Sequence, residues 1–314
     1  MADVFFGYHM PSFSSPEVPA ERLFDHVADL ACAAEDAGFD LVTVMDHFYQ
    51  IRGVGQETEP MLEAYTTLGA LAARTRRVKL GTLVTGVTYR NPALLVKQVT
   101  TLDTISGGRA ILGIGAAWNE DEHRGYGIAF PPIRERMDRL DEALQIARLM
   151  FSEERPTLEG RFYRIERALN SPRPIQPGGP PILIGGTGEK RTLRLVARYA
   201  DMAHWFASSL EDLERKTRVL EGYCAEIGRD PAQIFRTLGA PLILVEDERE
   251  ADAVRQRIPP ERLAMLGQPS TLEQAAERLR PYLDAGFRGF TFGNPNLNTP
   301  EKLELAGQLK KLLR

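Results

Sequence analysis

The stretch LVTVMDHFYQ, residues 41–50, is an apolar run that stops at an acid and an imidazole, Asp46 and His47. Leu41, Val42 and Val44 read as a buried strand, so the two polar residues stand where that strand should end. An imidazole titrates near neutral pH and can give or take a proton there, and a neighbouring carboxylate can orient or charge it. The plainer reading makes Asp46 a loop cap and His47 a satisfied polar residue at a rim. Successive strand residues point to opposite faces, so only one of the two can face a site directly, and the other supports it from behind.

Other stretches carry weaker chemical signals. GGTGEKRTLRLVARYA, residues 185–200, is a glycine-rich turn opening a helix, and its N–H groups would suit a phosphate. It is not a Walker loop, because no glycine-rich segment ends in Gly-Lys-Ser/Thr. Arg90, in LGTLVTGVTYRNP, reads either as an anion binder or as one half of a local salt bridge. Trp118 and Asn119 follow the run GIGAA, where the indole either lines a planar ligand or packs. Gly113 and Gly115 are two apart, so one face of their strand is bare, which implies a bulge or a bulky ligand against backbone. His9, His47 and His204 fall near strand ends, and with Asp46 they could hold zinc, as in a metal-dependent hydrolase. No two of these histidines have the short spacing of a metal motif, so the expectation is no metal site.

The elements that must position these residues alternate along the whole chain. Short apolar runs begin at DVFFGYHM (3–10) and continue through DLVTVMDHF, VKLGTLVTG (78–86), RAILGIGAA (109–117), PPILIGG (180–186), DMAHWFA (201–207), TLGAPLILVED and FRGFTFGN. Amphipathic helical patterns separate them, with Gly38 closing the first and Pro92 opening another. Alternation of this kind means parallel strands and crossover helices, and eight such units close into a (β/α)8 barrel. Insertions are expected at about 118–133, 153–180 and 246–268, within one domain spanning 1–314. A doubly wound open sheet would carry a glycine fingerprint after strand one; HMPSFSSPEVP stands there instead. In a barrel the site lies where strands end, which singles out Tyr8 and His9; Asp46 and His47; Val84 and Thr85; Ala116 to Asn119; Gly185 to Gly188; His204 to Phe206; and Phe292 to Asn294.

Of the 314 residues 43% are hydrophobic and 26% charged, with a net charge of −4, which gives no basic field for nucleic acid or an anionic membrane. Cys32 and Cys224 lie far apart in helical patterns, which suggests a reducing compartment without disulfides. The N-terminus lacks a signal-peptide pattern, and no apolar run approaches the roughly 20 residues that cross a bilayer. The expectation is a soluble cytoplasmic protein.

Taken in order, DLVTVMDHF, VKLGTLVTGVTYRNPALLVKQVTTLDTISGGRAILGIGAAWNEDEHRGYG, PILIGGTGEKRTLRLVARYAD and AGFRGFTF span nearly the whole chain. In these stretches it resembles the bacterial luciferase-like oxidoreductases, in particular the branch that uses the deazaflavin coenzyme F420. The resemblance implies a TIM barrel whose mouth holds an isoalloxazine-like ring. It implies that Asp46 and His47 lie beside the ring, that a non-proline cis peptide joins Leu83 to Val84 beneath it, and that Gly185, Gly186, Thr187 and Gly188 hold the phosphate tail. It also implies contacts from Ala117 and Asn119, and a homodimer. Two features depart from the deazaflavin-dependent sugar-phosphate dehydrogenases. Their tryptophan after the histidine is replaced here by Ile51 or a neighbour. Where their strand-four loop has a glutamate acid, this chain has Trp118 or Asn119, with Glu120 and Glu122 further on.

The reading that follows is hydride transfer between F420 and a small organic substrate. His47 would be the proton donor, acceptor or ring-polarising group, with Asp46 as its orienting partner and Phe6, Trp118, Trp205 and Phe206 as walls. The alternative is an FMN-dependent monooxygenase of the luciferase type, supplied by a partner flavin reductase. A flavin-binding barrel without catalysis is a further one.

Overall fold

The computed structural model describes residues 4–15, 17–240, 242–293 and 297–313. Its eight barrel strands are β1 (Phe5–Met10), β2 (Leu41–Val44), β3 (Lys79–Thr82), β4 (Ala110–Gly115), β5 (Ile182–Gly185), β6 (Met202–Trp205), β7 (Phe235–Gly239) and β8 (Gly289–Phe292). Neighbours are parallel in the order β3-β2-β1-β8-β7-β6-β5-β4, and β3 pairs with β4 through Leu80–Ala110 and Gly81–Ile111, which closes the sheet. Helices run back between successive strands, as crossover connections require. The helix Pro92–Ser106 shows why they begin and end where they do. Asn91 accepts from the Ala93 N–H at 2.9 Å, Pro92 takes the first position, and Gly107 closes the helix at φ +69°.

Strand parity divides the core. Phe6, Tyr8, Val42, Val44, Leu112, Ile114, Ala203, Trp205, Phe290 and Phe292 point outward and pack under the helices. Leu41, Ile111, Leu183 and Met202 point inward and plug the N-terminal end of the barrel, with Phe5, Leu83, Val84 and Phe235 against them. Further along the same inward rows the residues turn small or polar. Thr43, Gly113, His204, Thr237 and Thr291 stand there, and this is where a mouth begins.

One strand is not where the apolar pattern put it. TLGAPLILVED reads as strand seven, but β7 is Phe235–Gly239 and the more apolar Leu242–Leu244 leaves the barrel. That segment pairs in parallel with Gln268–Ser270. With the helices Glu248–Arg257 and Pro260–Leu266 it builds a separate apolar cluster of Ile243, Val245, Ala251, Val254, Ile258 and Leu263. The physical reason is taper. An inward row needs a large residue at the plugged end and small ones above it, which Phe235, Thr237 and Gly239 supply and LILV cannot. The 118–133 connection holds a short helix, Glu120–Gly125, and the 153–180 connection holds a small antiparallel pair, Leu158–Glu159 with Arg164–Ile165. Among the described residues no helix is long and apolar enough to cross a membrane.

Candidate functional site at the barrel mouth

The floor of the mouth comes from an interruption in the sheet. After β3 the Leu83–Val84 peptide is cis, and pairing with β4 resumes at Thr85 and Gly86. The displaced backbone fills the face that the glycines leave bare. A Cβ on Gly113 would lie 1.9 Å from the Thr82 carbonyl oxygen, and one on Gly115 or Gly185 would lie 3.0 Å from Val84 Cγ2. Of the two readings of that bare face, bulge or ligand, the structure has the bulge. Leu83 and Val84 remain half-buried, so they offer an apolar shelf in the middle of the mouth.

Asp46 and His47 diverge from the end of β2, as alternation requires. Asp46 is buried and turns away from the mouth, where its two oxygens accept from Arg90 at 2.6 and 3.0 Å. Arg90 also donates to Glu63 at 2.6 Å and lies over the Tyr65 ring, so it is the local ion pair and not a free anion binder. Burial pushes the Asp46 carboxyl up, against the opposing pull of Arg90 and the Thr85 hydroxyl.

His47 meets a different carboxylate from the one expected. Its Nδ1 is 2.7 Å from Glu122 Oε2, and Glu122 is fully buried on the short helix after β4. Asp46 accepts from Arg90 with both oxygens, and the carboxylate hydrogen-bonded to His47 in the structure is Glu122 instead. Glu122 accepts in addition from the Tyr89 hydroxyl at 2.8 Å and from the backbone N–H groups of Phe48 and Tyr49. Burial alone would raise the Glu122 carboxyl, but the hydrogen bonds from His47 and the Tyr49 N–H hold it below the usual range. The sequence marked Glu122 only as an acid in the right loop, and it gave no sign of Tyr89.

The rest of the rim is mixed. His9 Nδ1 is 3.0 Å from Thr43 Oγ1; burial, aided by nearby His47 and opposed by Thr43, pushes the His9 pKa down to about 4. On the far side Thr237 gives its proton to the Ala203 carbonyl, so it accepts from His204 Nδ1 at 3.0 Å. Burial, and then His9, push His204 down to about 3. No group of three or more His, Cys, Asp or Glu side chains among the described residues is arranged to hold a metal. Trp118 is 61% exposed and meets the His47 ring edge-on at 5.4 Å; Phe206 is 76% exposed beside His204. Phe6 and Trp205 do not wall the mouth. They sit on outward rows, fully buried against Phe39 and Phe292, and against Phe287, respectively.

Ala117 adopts φ +59°, a region glycine usually fills, and its methyl leaves 3.0 Å to a Cβ built on Gly86. The Asn119 side chain is turned into the start of the short helix, where Oδ1 accepts from the Asp121 N–H at 3.2 Å. After β5, Gly186 takes φ +110° and donates to the His204 carbonyl at 3.1 Å. Thr187 and Gly188 then lead to the helix Thr192–Tyr199, whose start has no side-chain cap. Asn294 lies outside the described residues.

Residues 4–305 match the model of a family described as luciferase-like monooxygenase. An F420-dependent glucose-6-phosphate dehydrogenase of Kineococcus radiotolerans is 34% identical over 306 residues, covering 86% of this chain and 87% of its own. The enzyme of the same name from Nocardia farcinica is 32% identical, with 89% and 90% covered. Among solved structures, an F420-dependent secondary alcohol dehydrogenase holding an F420–acetone adduct superposes with a TM-score of 0.83 at 20% identity, over 99% of both chains. The oxygenating component of a 3,6-diketocamphane monooxygenase with FMN, from Pseudomonas putida, gives 0.79 at 18%, covering 98% and 97%. These last two likenesses are of fold.

Proposed function

The chain belongs to the luciferase-like monooxygenase family, and from that premise we propose that it is an F420-dependent oxidoreductase acting on a small organic substrate. The observation that carries the reading is the shelf of Leu83 and Val84. It is apolar, half-buried and flanked by the backbone of Gly115 and Gly185, at the same strand ends that His47 and Trp118 follow. A planar ring fits such a floor, because no side chain rises from the neighbouring glycines. A Cβ on Gly239, across the mouth, would meet nothing nearer than His204 Nε2 at 3.9 Å. The relatives at about a third identity carry F420 in their names, which favours the deazaflavin over FMN.

When bound, the deazaflavin takes up or gives back a hydride. The chain's part is to orient the ring and substrate and to handle the balancing proton. We assign that proton to His47, and ring contact to Leu83, Val84 and Ala117. Asp46 acts behind the rim, where its pairing with Arg90 ties the β2 end to the loop that follows Gly86. The turn Gly185, Gly186, Thr187 and Gly188 would seat the coenzyme's phosphate through backbone N–H groups and the uncapped helix behind it. Asn119 belongs to this reading through its cap on the short helix that carries Glu122. The assembly we expect is a homodimer of one-domain chains in the cytoplasm, which sedimentation of the purified protein would check. The functional test is loss of deazaflavin absorbance on turnover with a panel of small alcohols and sugar phosphates. Oxygen uptake with reduced FMN and a partner reductase, and no F420 turnover, would move the chain to the monooxygenase chemistry.

A further inference from the structure

Glu122 has a set of partners that goes beyond tying down a loop. Oε2 takes His47 Nδ1 and the Tyr89 hydroxyl, and Oε1 takes the N–H groups of Phe48 and Tyr49. Three of the four donors belong to the loop that carries His47. The carboxylate and the imidazole are therefore held in one rigid frame, and Gly125 makes room for it, since a Cβ there would lie 2.1 Å from the Tyr49 hydroxyl.

Two consequences follow from elementary chemistry. An ionised carboxylate can only accept, so His47 must donate from Nδ1, and Nε2 on the other side of the ring keeps its lone pair. Glu122 is also a fully buried negative charge whose ion-pair partner is His47 alone among the described residues. The carboxylate therefore lies directly against the ring that would carry positive charge after taking a second proton. The groups facing His47 are Glu122 from the short helix, His9 from β1 and the Trp118 ring; Asp46 is already matched by Arg90.

We propose that Glu122 is the positioning residue of this site: it fixes His47 as the Nδ1–H tautomer, aims Nε2 into the mouth, and stabilises the imidazolium formed when the balancing proton arrives. The proposal rests on the reading of His47 as the proton-handling group. In the oxidative direction a substrate proton moves to Nε2 as the hydride leaves for the coenzyme, and Nδ1–H stays on Glu122. In the reductive direction the Nε2 proton returns to the substrate.

The experiment is ¹⁵N NMR of the His47 ring in the full-length protein without coenzyme, followed across pH and assigned with His47→Ala. Wild type should show the Nδ1–H tautomer. In Glu122→Leu, which cannot accept from Nδ1–H, the ring should lose that preference, and kcat should fall about 10-fold or more while KM changes little. Glu122→Asp, which keeps a carboxylate acceptor, should restore most of the tautomer preference. An Nε2–H tautomer in wild type overturns the proposal even if every variant misfolds, and so does an unchanged tautomer ratio in a folded Glu122→Leu protein. Full turnover in His47→Ala would instead remove the reading of His47, while the ring spectrum would still report what Glu122 does.

Discussion

Around the mouth, the loops after β2 and β4 are held by buried charges, Asp46 against Arg90 and Glu122 against His47, whereas the turn after β5 is held by backbone, with Gly186 donating to the His204 carbonyl. On the first side each interaction depends on particular atoms, and losing one partner strands a charge away from water. On the second side the shape of the chain does the work, and what matters is that no Cβ intrudes and that φ can be positive. On the proposed reading the rim handles a proton and the turn seats the coenzyme's phosphate. The two halves should therefore fail differently.

The largest effect is expected on the side-chain half. His47→Ala should lower kcat by about 10²- to 10⁴-fold, the usual worth of a positioned acid or base, while coenzyme affinity changes little. Steady-state kinetics beside a binding titration separates the two. Next is Arg90→Met, which leaves the Asp46 carboxylate buried without its partner and should cost about 3–5 kcal/mol in a denaturant titration. Asp46→Asn added to it should recover part of that loss.

On the β5–β6 side the expected effect is a pH dependence. The folded protein holds His204 neutral down to about pH 3, whereas the unfolded chain protonates it below about 6.5. Its contribution to stability is thus complete above about pH 6.5 and is lost as the pH falls towards 3. Between pH 6.5 and 4.5 the loss from this residue should be about 2 kcal/mol, and His204→Gln should flatten that part of the unfolding profile. The smallest effect is assigned to the turn itself. Gly186→Ala meets only the Thr192 methyl at 3.6 Å but must adopt φ +110°, which should cost about 1–2 kcal/mol. That change should appear in coenzyme affinity and leave the pH profile of kcat unmoved. If it moved the pH profile, the division between the halves would be wrong.

Much of this was legible in the sequence. Alternating strand and helix patterns located the barrel, and glycines two apart in β4 announced a bare inner face. What escaped was contact between residues distant in the chain. Glu122 meets His47 across 75 positions and Tyr89 across 33, and no local period links them. Adjacency made Asp46 look like the natural partner of His47, although alternation on a strand sends neighbours apart. The same parity removed Phe6 and Trp205 from the mouth. Strand seven was misplaced because apolar density is highest in LILV, where a second small core needed it, while the barrel took the tapered row ending at Gly239.

The most direct test of the account is a parallel titration of the purified protein with F420 and with FMN, following the ring absorbance and fluorescence of each. Saturable spectral change with F420, much weaker change with FMN, and the same F420 affinity in His47→Ala are the predicted results. No response to F420, or tighter binding of FMN, would contradict it.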